Sequence, residues 1–183
     1  MKLRFDPEKH IYTLGDRRLP SVTEIVNSVC GVEYYADEFY LNKGSQVHKC
    51  IALYLGGRLD DSSVDLRIRG RVDQAKKVIR ELRINPSLIE VSMAHPVLGY
   101  AGTPDLLAGN VLIDWKSSHT KEGGVQAGGY VELLEANKYS VKECYEIVLE
   151  DDRYIVFEHQ PKRSRRLFLA AKIIYDWRQN GRD

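Results

Sequence analysis

Residues 102–118 read GTPDLLAGNVLIDWKSS, and the last eight of them, VLIDWKSS, constrain the chain more than any other stretch. A Val-Leu-Ile run buries itself as a strand, yet an aspartate and a lysine follow it at once. Strand side chains alternate faces, so Asp114 and Lys116 point one way while Ile113 and Trp115 point the other way, into core. A buried charge is expensive unless something pairs it. The residues alone leave two readings open: a same-face ion pair on an edge strand, or a polar face that holds a cation.

The carboxylates upstream bear on that choice. Gly109-Asn110 is a plausible tight turn between two strands, and such a turn brings Asp105 back beside Asp114. Glu90, on the strand before, can reach the same place. Three crowded carboxylates repel one another, and one lysine does not offset them. A hard divalent cation does: Mg²⁺ takes carboxylate oxygens, keeps some waters and shares its remaining positions with phosphate. Lys116 then sits where a water or a phosphate would be.

The rest of the chain supplies the setting. KLRF and HIYTL, split by DPEK, predict an N-terminal hairpin. Ser21 with Glu24 three residues later is a capping box that opens a helix over SVTEIVNSV. After the aromatic-rich run 32–41, a second helix carries GSQVHKCIALYL and ends at Gly56-Gly57. A third spans about 65–82, with Ile68, Val72, Ala75, Ile79 and Leu82 at helical spacing and a basic face of Arg69, Lys76, Arg80 and Arg83. Three strand candidates follow (LIEVSMAHP, LGYAGTPDLLAG, NVLIDWKSS), then a helix over GGVQAGGYVELLEAN. ECYEIVLE and RYIVFEHQ form a second hairpin, and SRRLFLAAKIIYDWRQ a last helix. The Gly-Gly and Asn-Gly pairs read as turns. This order implies an α/β (α+β) fold with a central mixed β-sheet flanked by helices. At 183 residues one domain is expected.

Composition narrows the function classes. The formal net charge is +1, so attraction to nucleic acid has to come from local patches. The third helix's basic face and the run at 161–166 (PKRSRR) are two such patches. Three cysteines, odd in number and far apart, fit neither a disulfide framework nor a thiolate zinc site, and the expected location is cytoplasmic. No run approaches the roughly eighteen apolar residues that span a bilayer, so no membrane partner is expected.

Four blocks, in order, resemble the PD-(D/E)xK nuclease superfamily and within it the RecB-like exonuclease branch. They are Gly44 to His48 (GSQVH), Gly102 to Asp105 (GTPD), Asp114 to Lys116 (DWK) and Gln126 to Tyr130 (QAGGY). Each is weak alone; the order and gaps give them weight. The resemblance implies a restriction-endonuclease-like core and a single nuclease domain over 1–183. Within it, hairpin and helices occupy 1–85, the catalytic core 86–160 and the C-terminal helix 161–183. It implies a metal-dependent phosphodiesterase acting on DNA, single- or double-stranded, at its ends, in recombination, repair or phage DNA processing. Asp105, Asp114 and Lys116 are the implied catalytic residues, joined by Glu90. The metal, Mg²⁺ or Mn²⁺, is implied to sit on Asp105, Asp114, His48 and the Trp115 backbone carbonyl, with Glu90 at a second position. Gln126 and Tyr130, which share a helix face at i, i+4, would touch substrate. Ser117, Ser118 and His119 on the rim could join them. Branch members with an iron–sulfur cluster use one early and three late cysteines; this chain lacks the late group, so no cluster is expected. A homo-oligomer or a recombination partner protein is compatible with all of this. The rival readings are a catalytically silent nucleic-acid-binding module of the same fold, a structure- or sequence-specific endonuclease, and a structural domain without nucleic-acid chemistry.

Overall fold

The computed structural model describes residues 2–31 and 38–181; of the aromatic-rich run, 32–37 lie outside them. Strands β1 (Leu3–Asp6), β2 (Ile11–Leu14) and β3 (Arg17–Leu19) form an antiparallel meander, one strand more than the expected hairpin. Helix α1 (Val22–Cys30) starts at Ser21, whose hydroxyl accepts from the Glu24 amide. Only this half of the capping box forms. The Glu24 carboxylate instead meets Arg18 and accepts from the Tyr175 hydroxyl. Helix α2 (Glu38–Leu55) begins ahead of GSQVH and stops before Gly56-Gly57. Helix α3 (Leu66–Glu81) is capped by Asp65, whose carboxylate accepts from the Arg67 amide.

The strands that follow are shorter than the sequence runs. LIEVSMAHP splits into β4 (Leu88–Ile89) and β5 (Met93–Ala94), because Glu90 between them has a φ of 46°. Glu90 therefore lies just past a strand and not within one. LGYAGTPDLLAG likewise splits into β6 (Ala101–Gly102) and β7 (Leu106–Ala108), with Thr103-Pro104-Asp105 between. Then come β8 (Val111–Lys116), α4 (Gly123–Ala136), β9 (Glu143–Leu149), β10 (Tyr154–His159) and α5 (Pro161–Asn180).

The main sheet runs β10-β9-β8-β7-β4. It is mixed: β8 and β9 are parallel, the other pairs antiparallel. The two parallel strands are joined by α4, the crossover that parallel pairing requires. Helices cover both faces. Leu112 of β8 and Cys144 of β9 pack with α1, α4 and α5, through residues such as Val22, Leu133 and Phe168. Ile113, Trp115 and Ile147 pack on the other face with α2 and α3, through Ile51 and Val72 among others. Strand alternation thus puts one member of each neighbouring pair in each core.

Glycine sets how closely the helices approach. Gly123-Gly124 and Gly128-Gly129 lie inside α4, within the run expected to be helical. A Cβ on Gly128 would run into the Ser164 carbonyl oxygen of α5, and one on Gly129 into Val22 and Phe168. The basic face of α3 is also partly spent: Lys76 is buried and paired with Asp61, and Arg69 donates to the carbonyls of Asp61 and Val64. Among the described residues no helix is long and apolar enough to cross a membrane.

Candidate active site

The register Leu106↔Ile113 continues one step past β7 to set Asp105 beside Asp114. Gly109, with a φ of 60°, makes the turn that allows it. Gly102 clears the way, since a Cβ there would press on Tyr130, Val22 and Leu133 at 3.1–3.2 Å. The Thr103 hydroxyl is held between the hydroxyls of Tyr12 and Ser92, each 2.7 Å away, which fixes the backbone just before Asp105.

Asp105 is then pinned from two sides. One carboxylate oxygen accepts from the Trp115 amide at 2.8 Å, and the other lies 3.2 Å from His48 Nδ1. The Glu90 amide donates to the Asp105 carbonyl at 2.9 Å, which brings the Glu90 side chain to the same place. One ligand atom each from His48, Glu90 and Asp105 lies within 4.8 Å of the others. Asp114 is not in this tightest group. Its carboxylate, 3% exposed as a residue, lies 2.7 Å from Lys116 Nζ. The ion pair open from sequence therefore exists, alongside the crowding of acids. Lys116 also donates to Gln126 Oε1 at 2.9 Å. Gln126 Nε2 in turn donates to the Tyr130 hydroxyl and to Thr23 Oγ1. So α2 reaches the end of β8 from one layer and α4 from the other. Ser117 and Ser118 lie exposed beyond it.

Electrostatics follow the crowding. Burial pushes the Asp114 carboxyl up, Lys116 pulls it back and Asp105 pushes it up again, to about 6. Burial and the Asp105 charge also raise Glu90. Burial alone would lower His48, but the Asp105 carboxylate overrides it and lifts the imidazole to about 9. Asp105 moves the opposite way: burial works against ionisation, yet His48 holds it below its ordinary value. Lys116 is raised by Asp114 against its own burial. Three acids face two bases here, a donor set that could hold a divalent cation: the carboxylate oxygens suit Mg²⁺ or Mn²⁺, and the single imidazole is a ligand that softer divalent ions take more readily. Ligation by His48 would release its proton.

Two features were not read from sequence. Thr23 of α1 joins the Lys116–Gln126 chain, and nothing in a helical N-terminal turn marks it. Glu146 is the register partner of Asp114 on β9 and is 1% exposed. Its two oxygens meet His119 Nδ1 at 2.8 Å and His159 Nε2 at 3.2 Å. Its signal was available: an acid on the same face as Cys144, at a core position. His119, expected on the rim, is exposed there, held by this carboxylate and stacked on Phe157 with ring centroids 3.9 Å apart.

No family model matches the chain, and no curated protein does. Among solved structures the chain is similar to an alkaline exonuclease, LHK-Exo, from Laribacter hongkongensis. The identity is 15%, over 85% of this chain and 90% of that one, with a TM-score of 0.42. For LHK-Exo in complex with dAMP the identity is 17%, over 88% and 93%, with a TM-score of 0.37.

Proposed function

We propose that the chain is a divalent-metal-dependent nuclease that hydrolyses DNA phosphodiesters, one domain over 1–183 of the PD-(D/E)xK, RecB-like type. The observation that carries this is the convergence of His48, Glu90 and Asp105 next to a lysine that shares a strand face with Asp114. A structural ion pair explains Asp114 and Lys116 alone. It does not explain why two further carboxylates and an imidazole gather at the same strand end.

Asp105 and His48 would hold the ion, with Asp114, Glu90 and the Trp115 carbonyl completing the oxygen set. A bound Mg²⁺ or Mn²⁺ supplies charge against the phosphate oxygens and lowers the cost of forming the nucleophile. The other tasks fall to the chain. Lys116, oriented by Asp114 and by Gln126 Oε1, holds a water beside the phosphorus and offsets charge that grows on the phosphoryl oxygens. Tyr130 and Ser117 line the approach of the strand. Ends are favoured over internal sites, because a domain this small has little surface left to read a long sequence.

The reading is tested by calorimetry with Mn²⁺ on wild type and Asp105→Asn, paired with digestion of end-labelled linear and covalently closed DNA. Wild type should bind Mn²⁺ and degrade linear DNA, and the variant should lose both. Equal Mn²⁺ binding by the two proteins removes Asp105 as a ligand. Equal rates on closed circles and linear DNA favour an endonuclease.

A further inference from the structure

Beyond the Glu146 clamp the surface opens into a cavity of about 370 Å³, lined by His119, Lys121, His159 and Arg163 among others. We propose that this cavity takes a phosphate group of the nucleic-acid strand whose neighbouring bond lies at Lys116. The proposal rests on the nuclease reading and adds a second place where the strand is held.

The cationic lining is the first support. Neither Lys121 nor Arg163 pairs with a carboxylate among the described residues, whereas Arg165, two positions on, is spent on Glu132 and Glu135. An exposed lysine and arginine left unpaired at one concavity make a local positive site in a chain of net charge +1. One acid, Glu158, also lines the cavity, against two cations and two imidazoles, Lys121, Arg163, His119 and His159. The Glu146 carboxylate is covered by its two imidazoles and turned away from solvent.

The imidazoles are the second support. Each spends one ring nitrogen on Glu146, His119 through Nδ1 and His159 through Nε2. That fixes both rings and leaves the opposite nitrogens for a ligand. His159 Nδ1 and Ser164 Oγ face Gly124, where a Cβ would stand 3.2 and 3.9 Å from them, so glycine lets the His159 ring sit close against the start of α4. The starts of α4 and α5, neither with a side-chain cap, border the same space and add a favourable field for an anion.

Placement is the third support. Glu146 pairs in register with Asp114, and His119 follows Lys116 by three residues, on the order of 10 Å of extended chain. A strand bound at Lys116 and continuing past Ser117 and Ser118 meets the cavity within a nucleotide or two.

The test uses Lys121→Glu/Arg163→Glu in the full chain, with Lys9→Glu/Lys142→Glu as a control of equal charge change. Binding of a fluorescein-labelled single-stranded 12-mer is followed by anisotropy in EDTA across salt concentrations, so no cleavage is needed. The proposal expects at least a tenfold loss of affinity and a salt slope shallower by about 0.7 per phosphate contact removed, with the control near wild type. Wild-type affinity and slope in the double variant, or equal losses in the control, overturn it. Inorganic phosphate and a mononucleotide are titrated against the 12-mer. If either displaces it from wild type at concentrations far below those of competing chloride, the cavity takes a free monoester and the strand subsite is overturned. Hydrolysis of bis(p-nitrophenyl) phosphate with Mn²⁺ reports on the nuclease reading separately, because that compound has no second phosphate. Its failure in wild type sinks that reading and leaves the binding result to stand.

Discussion

Asp114 and Glu146 are register partners on two parallel strands, buried to nearly the same degree, yet their surroundings treat them in opposite ways. Glu146 has one imidazole on each oxygen, and the pair holds its carboxyl below the ordinary value despite burial. Asp114 has a single ammonium and faces a second aspartate, and burial pushes its carboxyl up. One acid is saturated by the chain itself; the other belongs to a group that stays acid-rich. Stability favours the first arrangement, since a buried charge costs least when every lone pair is met. The second stores an electrostatic cost that a bound cation would relieve. That contrast separates an acid neutralised by the chain itself from one left in an acid-rich group, at two adjacent positions of one sheet where fold, depth and residue type are nearly matched.

The strongest way to break the contrast is at Lys116. Lys116→Ala should lower cleavage with Mg²⁺ by about 10²–10³, the usual loss for a preorganised charge-stabilising group. Mn²⁺ affinity should hold or improve, because a repelling cation is gone from beside Asp114. Single-turnover cleavage of a labelled duplex alongside calorimetry measures both. A variant that cuts DNA at the wild-type rate would reduce Asp114–Lys116 to the simple ion pair that the strand pattern also allowed.

The saturated cluster should respond in the other currency. Glu146→Ala leaves two imidazoles without their carboxylate and should cost about 2–3 kcal/mol. That is below the 3–5 kcal/mol typical of a fully buried pair, because the His119 side chain is 42% exposed and can rehydrate. Urea unfolding at constant m-value measures it. Mn²⁺ affinity should be unchanged. If Mn²⁺ binding vanished while the protein stayed folded, the two clusters would be one unit and the comparison would fail.

Much of this was legible in the sequence because periodicity marks buried faces. The alternation in VLIDWK placed Asp114 and Lys116 together and sent Ile113 and Trp115 into core, and the spacing in α3 gave its boundaries to within a residue. The i, i+4 spacing of Gln126 and Tyr130 put both near Lys116. What was not legible depends on long-range contact. Glu90 reads as a strand residue because nothing in LIEVSMAHP signals a positive φ in mid-run; the break goes with its amide's bond to the Asp105 carbonyl. The helix over GGVQAGGY is legible, but the role of its glycines, letting Ser164 and Phe168 close in, is not, because it resides in α5. Lys76 reads as part of a basic face because its partner, Asp61, lies fifteen residues away in the sequence.

The finest test is the sign of each acid's pH dependence in metal-free protein. Glu146 has a folded value below its unfolded one, near 4.3. Its contribution is fully present above the unfolded value and is lost as pH falls through the folded one. Asp114 has a folded value of about 6, above the ordinary 3.8. Its contribution is fully present below the unfolded value and is lost as pH rises through about 6. Between pH 7 and 4 the two act in different windows and with opposite slopes. Replacing Glu146 by Gln should flatten the loss of stability at the acid end. Replacing Asp114 by Asn should remove a gain that wild type makes on going from pH 7 to 5, and so steepen the net decline. Each effect should be on the order of 1 kcal/mol, since neighbouring groups titrate with them and share the change. Chemical denaturation at pH 7, 5 and 4 in EDTA reads both. Parallel pH profiles for the two variants would mean that Asp114 and Glu146 are neutralised alike, and the distinction between the clusters would have no electrostatic basis.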